Sequence, residues 1–334
     1  AAAQWLALRL QAAAAAVVAA AALLAVLQRT MHAADPGLIG LAISYALSMT
    51  SMLSNLLNSF TETEREMIAV ERVGEYIKTV ESEPIDGDSP PYGWPSQGVI
   101  EFEDVYLKYS GRENGVMALN GVSFSTHPGE KLGVVGRTGA GKSSLLTALL
   151  RLAPLARGRI LIDGVDISKL HLHSLRSRIG VIPQEPFIFS GSLRDNVDPL
   201  GQYLDAELWR ALDACGARHL VSARAGLHAP AARALSRGHA QLLCVVRALL
   251  HRPKILLVDE ATANLDNEAE RQILDAIRCS FGGSSVVLVA HRLAGVLQCA
   301  RVLALAAGRA ADLRAPHDAL ADHSSHLYQL VYGS

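Results

Sequence analysis

Between residues 131 and 150 the chain reads Lys131-Leu-Gly-Val-Val135, then Gly136-Arg-Thr-Gly139-Ala-Gly141-Lys142-Ser143, then Ser144-Leu-Leu-Thr-Ala-Leu-Leu150. A short apolar strand runs into a glycine-rich turn of fixed spacing, G-x-x-x-x-G-K-[ST], and out into an apolar helix. Few folds accept that order, because it needs a buried parallel strand whose C-terminal end meets a helix N-terminus. The residues of the turn, Gly136, Thr138, Gly139, Ala140 and Gly141, let backbone N–H groups face an anion. The helix beginning at Lys142, Ser143 and Ser144 adds the positive end of its dipole. Such a loop binds phosphate groups, with the Lys142 ammonium reaching the terminal phosphates and the Ser143 hydroxyl placed to ligate a divalent cation.

A second segment completes that chemistry. Ile255-Leu-Leu-Val258 is a four-residue apolar run that delivers two acids, Asp259 and Glu260, at its end. Asp259 can hold a Mg²⁺ hydration shell, and Glu260 can act as general base on an attacking water. The two segments together predict a P-loop ATPase that uses ATP and Mg²⁺. After residue 99 short strand-like runs alternate with helical stretches, as in an α/β domain.

The first eighty residues have another character. The chain holds 334 residues with a formal net charge of −1, which gives no sign of a nucleic-acid partner. Its mean hydropathy is nonetheless positive, because residues 1–60 carry little charge. Residues 5–28, rich in Ala, Val and Leu, and the uncharged residues 38–60 are each long enough to cross roughly 30 Å of hydrocarbon. They are separated by Asp35-Pro36-Gly37, a turn signal. A signal peptide is the rival reading of the first run, weakened by the missing initiator Met and by the second run. Starting with Ala inside an apolar run, the chain reads as a piece of a longer polypeptide. In the second run Ser44, Ser48, Ser51, Asn55 and Asn58 recur every three or four residues and share one helix face. Helix packing and a solute-facing lining are both compatible with this stripe. Residues 61–80 have soluble amphipathic patterning, with Met67, Val70, Val73, Ile77 and Val80 on one face. Residues 81–98, with four prolines and three glycines, read as a linker. The scattered cysteines Cys215, Cys244, Cys279 and Cys299 fit a reducing compartment and no metal site.

Six further segments resemble those of an ABC transporter cassette of subfamily C, the multidrug resistance-associated family. Tyr109 in Leu-Lys-Tyr-Ser is similar to the aromatic that stacks on adenine, and Gln184 in Ile-Pro-Gln-Glu-Pro to the glutamine that touches Mg²⁺ and couples to the membrane domain. Phe187 to Asp198 has the wording of the subfamily. Leu235-Ser236-Arg237-Gly238-His239 stands where the signature belongs. Ala263-Asn-Leu-Asp266 resembles the D-loop, and His291 in Val-Ala-His-Arg-Leu the histidine that contacts the γ-phosphate. The resemblance implies an α/β cassette with a RecA-like core, an antiparallel β subdomain and a helical subdomain over residues 99–334, preceded by the last two transmembrane helices. Residues 61–80 would extend the second of these into the cytosol. Glu260 matches the second cassette of that subfamily, since the first often has Asp there.

Implied with it are ATP hydrolysis that powers export of amphipathic organic solutes, an integral location in the plasma membrane with a cytoplasmic cassette, and three kinds of partner. These are the first nucleotide-binding domain, the remaining membrane helices and the lipid bilayer. Gln184, Glu260 and His291 would be catalytic, with Ser143, Gln184 and Asp259 around Mg²⁺. The signature departs from the family pattern, LSGGQ or LSLGQ: Ser236 and Gly238 remain, while Arg237 and His239 replace a small or apolar residue and Gln. In the family this motif acts in trans, on the ATP of the opposite cassette. A regulatory ATP-binding module with little turnover is therefore the alternative reading.

Overall fold

In the computed structural model the described residues are 2–30, 36–80, 82–83, 86–109, 117–221, 226–230, 235–263, 265–290 and 292–332. They form two compact units, residues 1–83 and 84–334. The first consists of two helices, α1 (Ala2–Thr30) and α2 (Pro36–Thr79), which contact each other. At 1.5 Å per residue, α2 alone is about 65 Å long. It runs without a break through residue 60, so the apolar stretch and the amphipathic stretch expected at 61–80 belong to one helix. Among the described residues no helix is long and apolar enough to cross a membrane. The stretches expected as spans at 5–28 and 38–60 are helical throughout. Ser48 and Ser51 in that stripe donate to the carbonyls of Tyr45 and Ser48, which satisfies the hydroxyls within the helix itself.

The second unit contains two sheets. A four-stranded antiparallel sheet has the order β2-β1-β4-β5, from β1 (Ile100–Leu107), β2 (Leu119–Ser125), β4 (Leu155–Ile162) and β5 (Val165–Asp166). The other has six strands in the order β10-β9-β3-β8-β7-β6. These are β3 (Lys131–Val135), β6 (Ile179–Ile182), β7 (Ile255–Asp259), β8 (Ser285–Val289), β9 (Arg301–Ala306) and β10 (Arg309–Arg314). All its neighbours pair in parallel except β9 and β10. Strands buried on both faces read as unbroken apolar runs, and Ile255, Leu256, Leu257 and Val258 are indeed fully buried. The helix α3 (Lys142–Leu149) covers one face through Leu145 and Leu149, sharing a core with Ile100, Leu132 and Val287. A helical layer occupies the other: α5 (Leu193–Val197), α6 (Asp205–Ala214), α7 (Arg237–Leu250) and α8 (Asn267–Ser280), joined through Leu208, Leu212, Leu243 and Ile277. Shorter helices α4 (Leu172–Arg176), α9 (Leu293–Leu297), α10 (Pro316–Ala321) and α11 (His326–Tyr332) complete the unit. The α/β core, the antiparallel sheet and the helical layer expected from sequence are all present.

The second half of the stretch expected as linker is tied down. Trp94 is buried and its indole N–H donates to Ile162 O at 2.9 Å. Both Asp163 oxygens accept from the backbone: Oδ2 from Ser96, Gln97 and Gly98, and Oδ1 from Val99 at 2.7 Å. Proline and glycine density concealed this, because the docking depends on one aromatic ring and on a carboxylate some 65 residues away. Burial pushes the Asp163 carboxyl up, but the four N–H groups outweigh it and hold its pKa below the ordinary value. A folded pKa below the unfolded one contributes stability above the unfolded value, and this is lost as pH falls through the folded value. Asp163→Ala is expected to lower unfolding stability by about 2–3 kcal/mol. Urea titrations at neutral pH and at acid pH check this, and the difference between the two proteins should shrink in acid.

Candidate functional site

Open parallel sheets bind ligands at the carboxyl ends of their strands. Here β3, β8 and β7 lie side by side, and their ends are knitted together. Ala290 N donates to Val134 O at 3.2 Å, and Glu260 N donates to Val289 O at 3.1 Å. The turn after β3 and the acids after β7 are therefore held one strand apart.

The turn itself depends on missing side chains at two points. A Cβ on Gly136 would lie 2.6 Å from Leu305 O, and one on Gly141 would lie 2.6 Å from Ala118 O; Gly141 also has φ of +104°. Glycine alone satisfies both the space and the backbone angle. Gly139, with φ of +83°, faces open space. Ala140 is buried, its N–H donating to Arg137 O and its carbonyl accepting from Gly308 N. Thr138 is exposed at the tip of the turn. No side chain caps α3, which leaves its first-turn N–H groups to an anion. Ser143 is exposed at that turn, and the Tyr109 hydroxyl reaches Ser144 Oγ at 3.2 Å. The Tyr109 ring is half exposed beside the phosphate turn.

Lys142 is 5% exposed, and its Nζ donates to Gly136 O at 3.0 Å and lies 3.7 Å from Glu260 Oε1. The other Glu260 oxygen accepts from Gln184 Nε2 at 3.2 Å. One carboxylate thus bridges a lysine and a glutamine from two different loops. Glu260 holds this position with φ of +46°, a left-handed backbone that costs a non-glycine residue about 1 kcal/mol. Among the described residues Asp259 Oδ1 is buried and has no hydrogen-bond partner. Burial raises the Asp259 pKa, the neighbouring Glu260 charge raises it further, and Lys142 partly offsets both. A buried carboxylate oxygen without a partner and an exposed serine hydroxyl at the phosphate turn are the donor chemistry of a hard divalent cation, so the residues present fit Mg²⁺.

The other expected residues divide. Ser236 is the N-cap of α7 and accepts from His239 N at 3.2 Å. Arg237 NH2 lies 3.4 Å from Glu185, next to Gln184, in an exposed pair. Gly238 passes close to α8, where a Cβ would stand 3.0 Å from Ala269 Cβ. The His239 ring contacts His219 edge to face. Asp266 caps α8 by accepting from Ala269 N at 2.8 Å. His291 and residues 231–234, which lead into the signature, lie outside the described residues.

Two supporting residues escaped the sequence reading. Gln241 is almost fully buried, and its Nε2 donates to Pro183 O at 2.7 Å, one residue before Gln184. Its only signal was a polar residue inside the apolar run of α7. Glu270 is also buried; it accepts from Arg292, the neighbour of His291, at 2.8 Å and from Thr262 at 3.3 Å. A glutamate in the first turn of a helix reads as ordinary dipole compensation, which hid it.

A phosphate turn, a paired lysine and glutamate, and a helix capped by Ser236 are the features of an ABC-type P-loop nucleotide-binding domain. Residues 119–263 match the family model of the ABC transporter, so this part of the chain carries that domain. Its relatives are members of sub-family C. It is 47% identical to mouse ATP-binding cassette sub-family C member 10, over 99% of this chain and 22% of that protein. It is 41% identical to ABC transporter C family member 13 of Arabidopsis thaliana, over 100% and 24%. With human ATP-binding cassette sub-family C member 3 it shares 40% identity, over 95% and 21%. The chain thus spans between a fifth and a quarter of the length of these relatives.

With its pKa raised in the folded state, Asp259 subtracts stability as pH rises above the unfolded carboxylate value, and the full penalty applies once pH passes the folded value. Asp259→Asn is expected to raise the stability of the nucleotide-free chain by about 1 kcal/mol at neutral pH and to abolish the further stabilisation given by Mg·ATP. Thermal melts with and without Mg·ATP test both halves.

Proposed function

We propose that residues 99–334 are the second nucleotide-binding domain of a larger sub-family C transporter, binding and hydrolysing ATP to power export of amphipathic organic solutes. The observation that carries this reading is the Glu260 carboxylate shared between Lys142 and Gln184, next to the orphaned oxygen of Asp259. The helices α1 and α2 would supply residues 5–28 and 38–60 to the bilayer, and residues 81–98 would connect them to the cassette. Lack of charge between Gln11 and Gln28 and between Leu38 and Phe60 supports that role. The first nucleotide-binding domain and the remaining membrane helices are the partners, in the plasma membrane, with this cassette in the cytosol. The length of the relatives supports it.

In the proposed cycle the adenine stacks on Tyr109, and the phosphates settle on the N–H groups of residues 136–144. Lys142 exchanges Glu260 for the β- and γ-phosphates, because a phosphate oxygen carries more charge than a carboxylate already shared with Gln184. That exchange takes the ammonium away from Glu260 Oε1. The carboxylate then takes a proton from water as its oxygen bonds to the γ-phosphorus and the bond to ADP breaks; the proton passes on to the released phosphate. His291 would steady the γ-phosphate. A magnesium ion held by Ser143, Gln184 and Asp259 would neutralise charge on the transferring group. In the opposite site, Ser236 and the α7 N-terminus would meet the other γ-phosphate. Ser236 accepts from His239 N but keeps its own O–H free to donate.

The pairing of Arg237 with Glu185 favours a second reading, in which the signature no longer closes and the cassette regulates by binding alone. Glu260→Gln separates the two in the assembled transporter. An enzyme loses steady-state turnover by about 10²-fold or more while retaining ATP. Unchanged turnover with unchanged binding supports the regulatory reading and removes Glu260 as the base.

A further inference from the structure

We propose that the cleft below the edge strand β6 is a second anion site, built for a compact ligand carrying several phosphate groups and distinct from the crevice at the strand ends. The cleft has a volume of about 750 Å³ and lies between the start of β6, the end of α4 and the turn from α7 into β7. Arg178, Arg252 and Lys254 line it together with His173 and His251, and no aspartate or glutamate does. All five are exposed.

This concentration is unlike the rest of the chain. The net charge is −1, and Arg194, Arg218, Arg292, Arg301 and Arg314 each hold a carboxylate. Arg178, Arg252 and Lys254 form no salt bridge with any described residue. Like charges gathered without counterions repel one another, and an anion entering the cleft would relieve that repulsion.

The walls are fixed independently of those three cations. Arg176 donates to the carbonyls of Leu150 and Arg151, and Arg247 donates to Phe187 O and to Asn196. At Gly180 a Cβ would lie 2.6 Å from Pro253 Cγ, so only glycine lets β6 close against the turn that carries Arg252 and Lys254. Arg252 itself sits at φ of +44°. A concave frame held by backbone contacts, with two guanidinium groups and one ammonium at its mouth, suits the fork geometry by which arginine holds phosphate oxygens. Free polyphosphates and phosphoinositide headgroups share that chemistry.

The test is made on the full chain with saturating Mg·ATP, so that the nucleotide crevice is filled. Inositol hexakisphosphate is titrated by calorimetry, and phosphatidylcholine vesicles with and without phosphatidylinositol bisphosphate are used in flotation. The wild type is expected to bind inositol hexakisphosphate at one site. The triple change Arg178→Glu, Arg252→Glu, Lys254→Glu should weaken binding by at least about tenfold and leave ATP affinity unaltered. Arg178→Gln with Lys254→Gln gives a milder variant whose folding is checked by its melting curve, and it should show an intermediate loss. Binding of the soluble probe alone assigns a free polyphosphate; additional charge-dependent binding of the doped vesicles assigns a headgroup. No binding by the wild type, equal binding by the folded variants, or stronger binding of polyglutamate than of the polyphosphate would overturn the proposal.

Discussion

The parallel register of β3, β8 and β7 is the constraint from which the rest of the crevice follows. Two backbone bonds at the strand ends, Ala290 N to Val134 O and Glu260 N to Val289 O, set the separation of the phosphate turn from the acids. Only with that separation does one lysine ammonium reach both its own loop carbonyl and a carboxylate from another strand. The apolar runs on β7 and β8 are thus more than core. Exposure of only 0–3% along Ile255–Val258 and Val286–Val287 leaves the strands no room to slide, and a register slip would move every side chain to the opposite face.

Much of this crevice could be read from sequence, because it is local. The strand 131–135 and the strand beginning at Ile255 fall where their apolar runs end, and the glycine spacing fixes the turn between strand and helix. What escaped is long-range. The capture of residues 96–99 by Asp163 joins segments about 65 residues apart, and nothing in either segment names the other. Gln241 and Glu270 escaped for a related reason: each is a polar residue on a helix, and only its packed neighbours separate a buried anchor from an exposed side chain.

The crevice keeps several costly features together. Glu260 has a left-handed backbone, Asp259 carries a partnerless oxygen, and Lys142 is nearly sealed from water. Each would be removed by selection for stability alone. Their clustering at the ends of two strands separated only by β8 marks the place where charge placement outranks packing.

The bond from Gln241 to Pro183 has a mechanical meaning. The helix that begins with the signature and the loop that carries Gln184 are fastened a few ångströms apart by a buried amide. Under the proposed function, in a pair of cassettes the first would belong to the neighbour's nucleotide and the second to this one. Such a fastener would then keep the two nucleotides from separate time: whatever pulled the signature helix toward one phosphate would tug the glutamine at the other. Asymmetric wear of the signature, as in Leu235–His239, would then be felt as a change of rhythm in both sites rather than as silence in one.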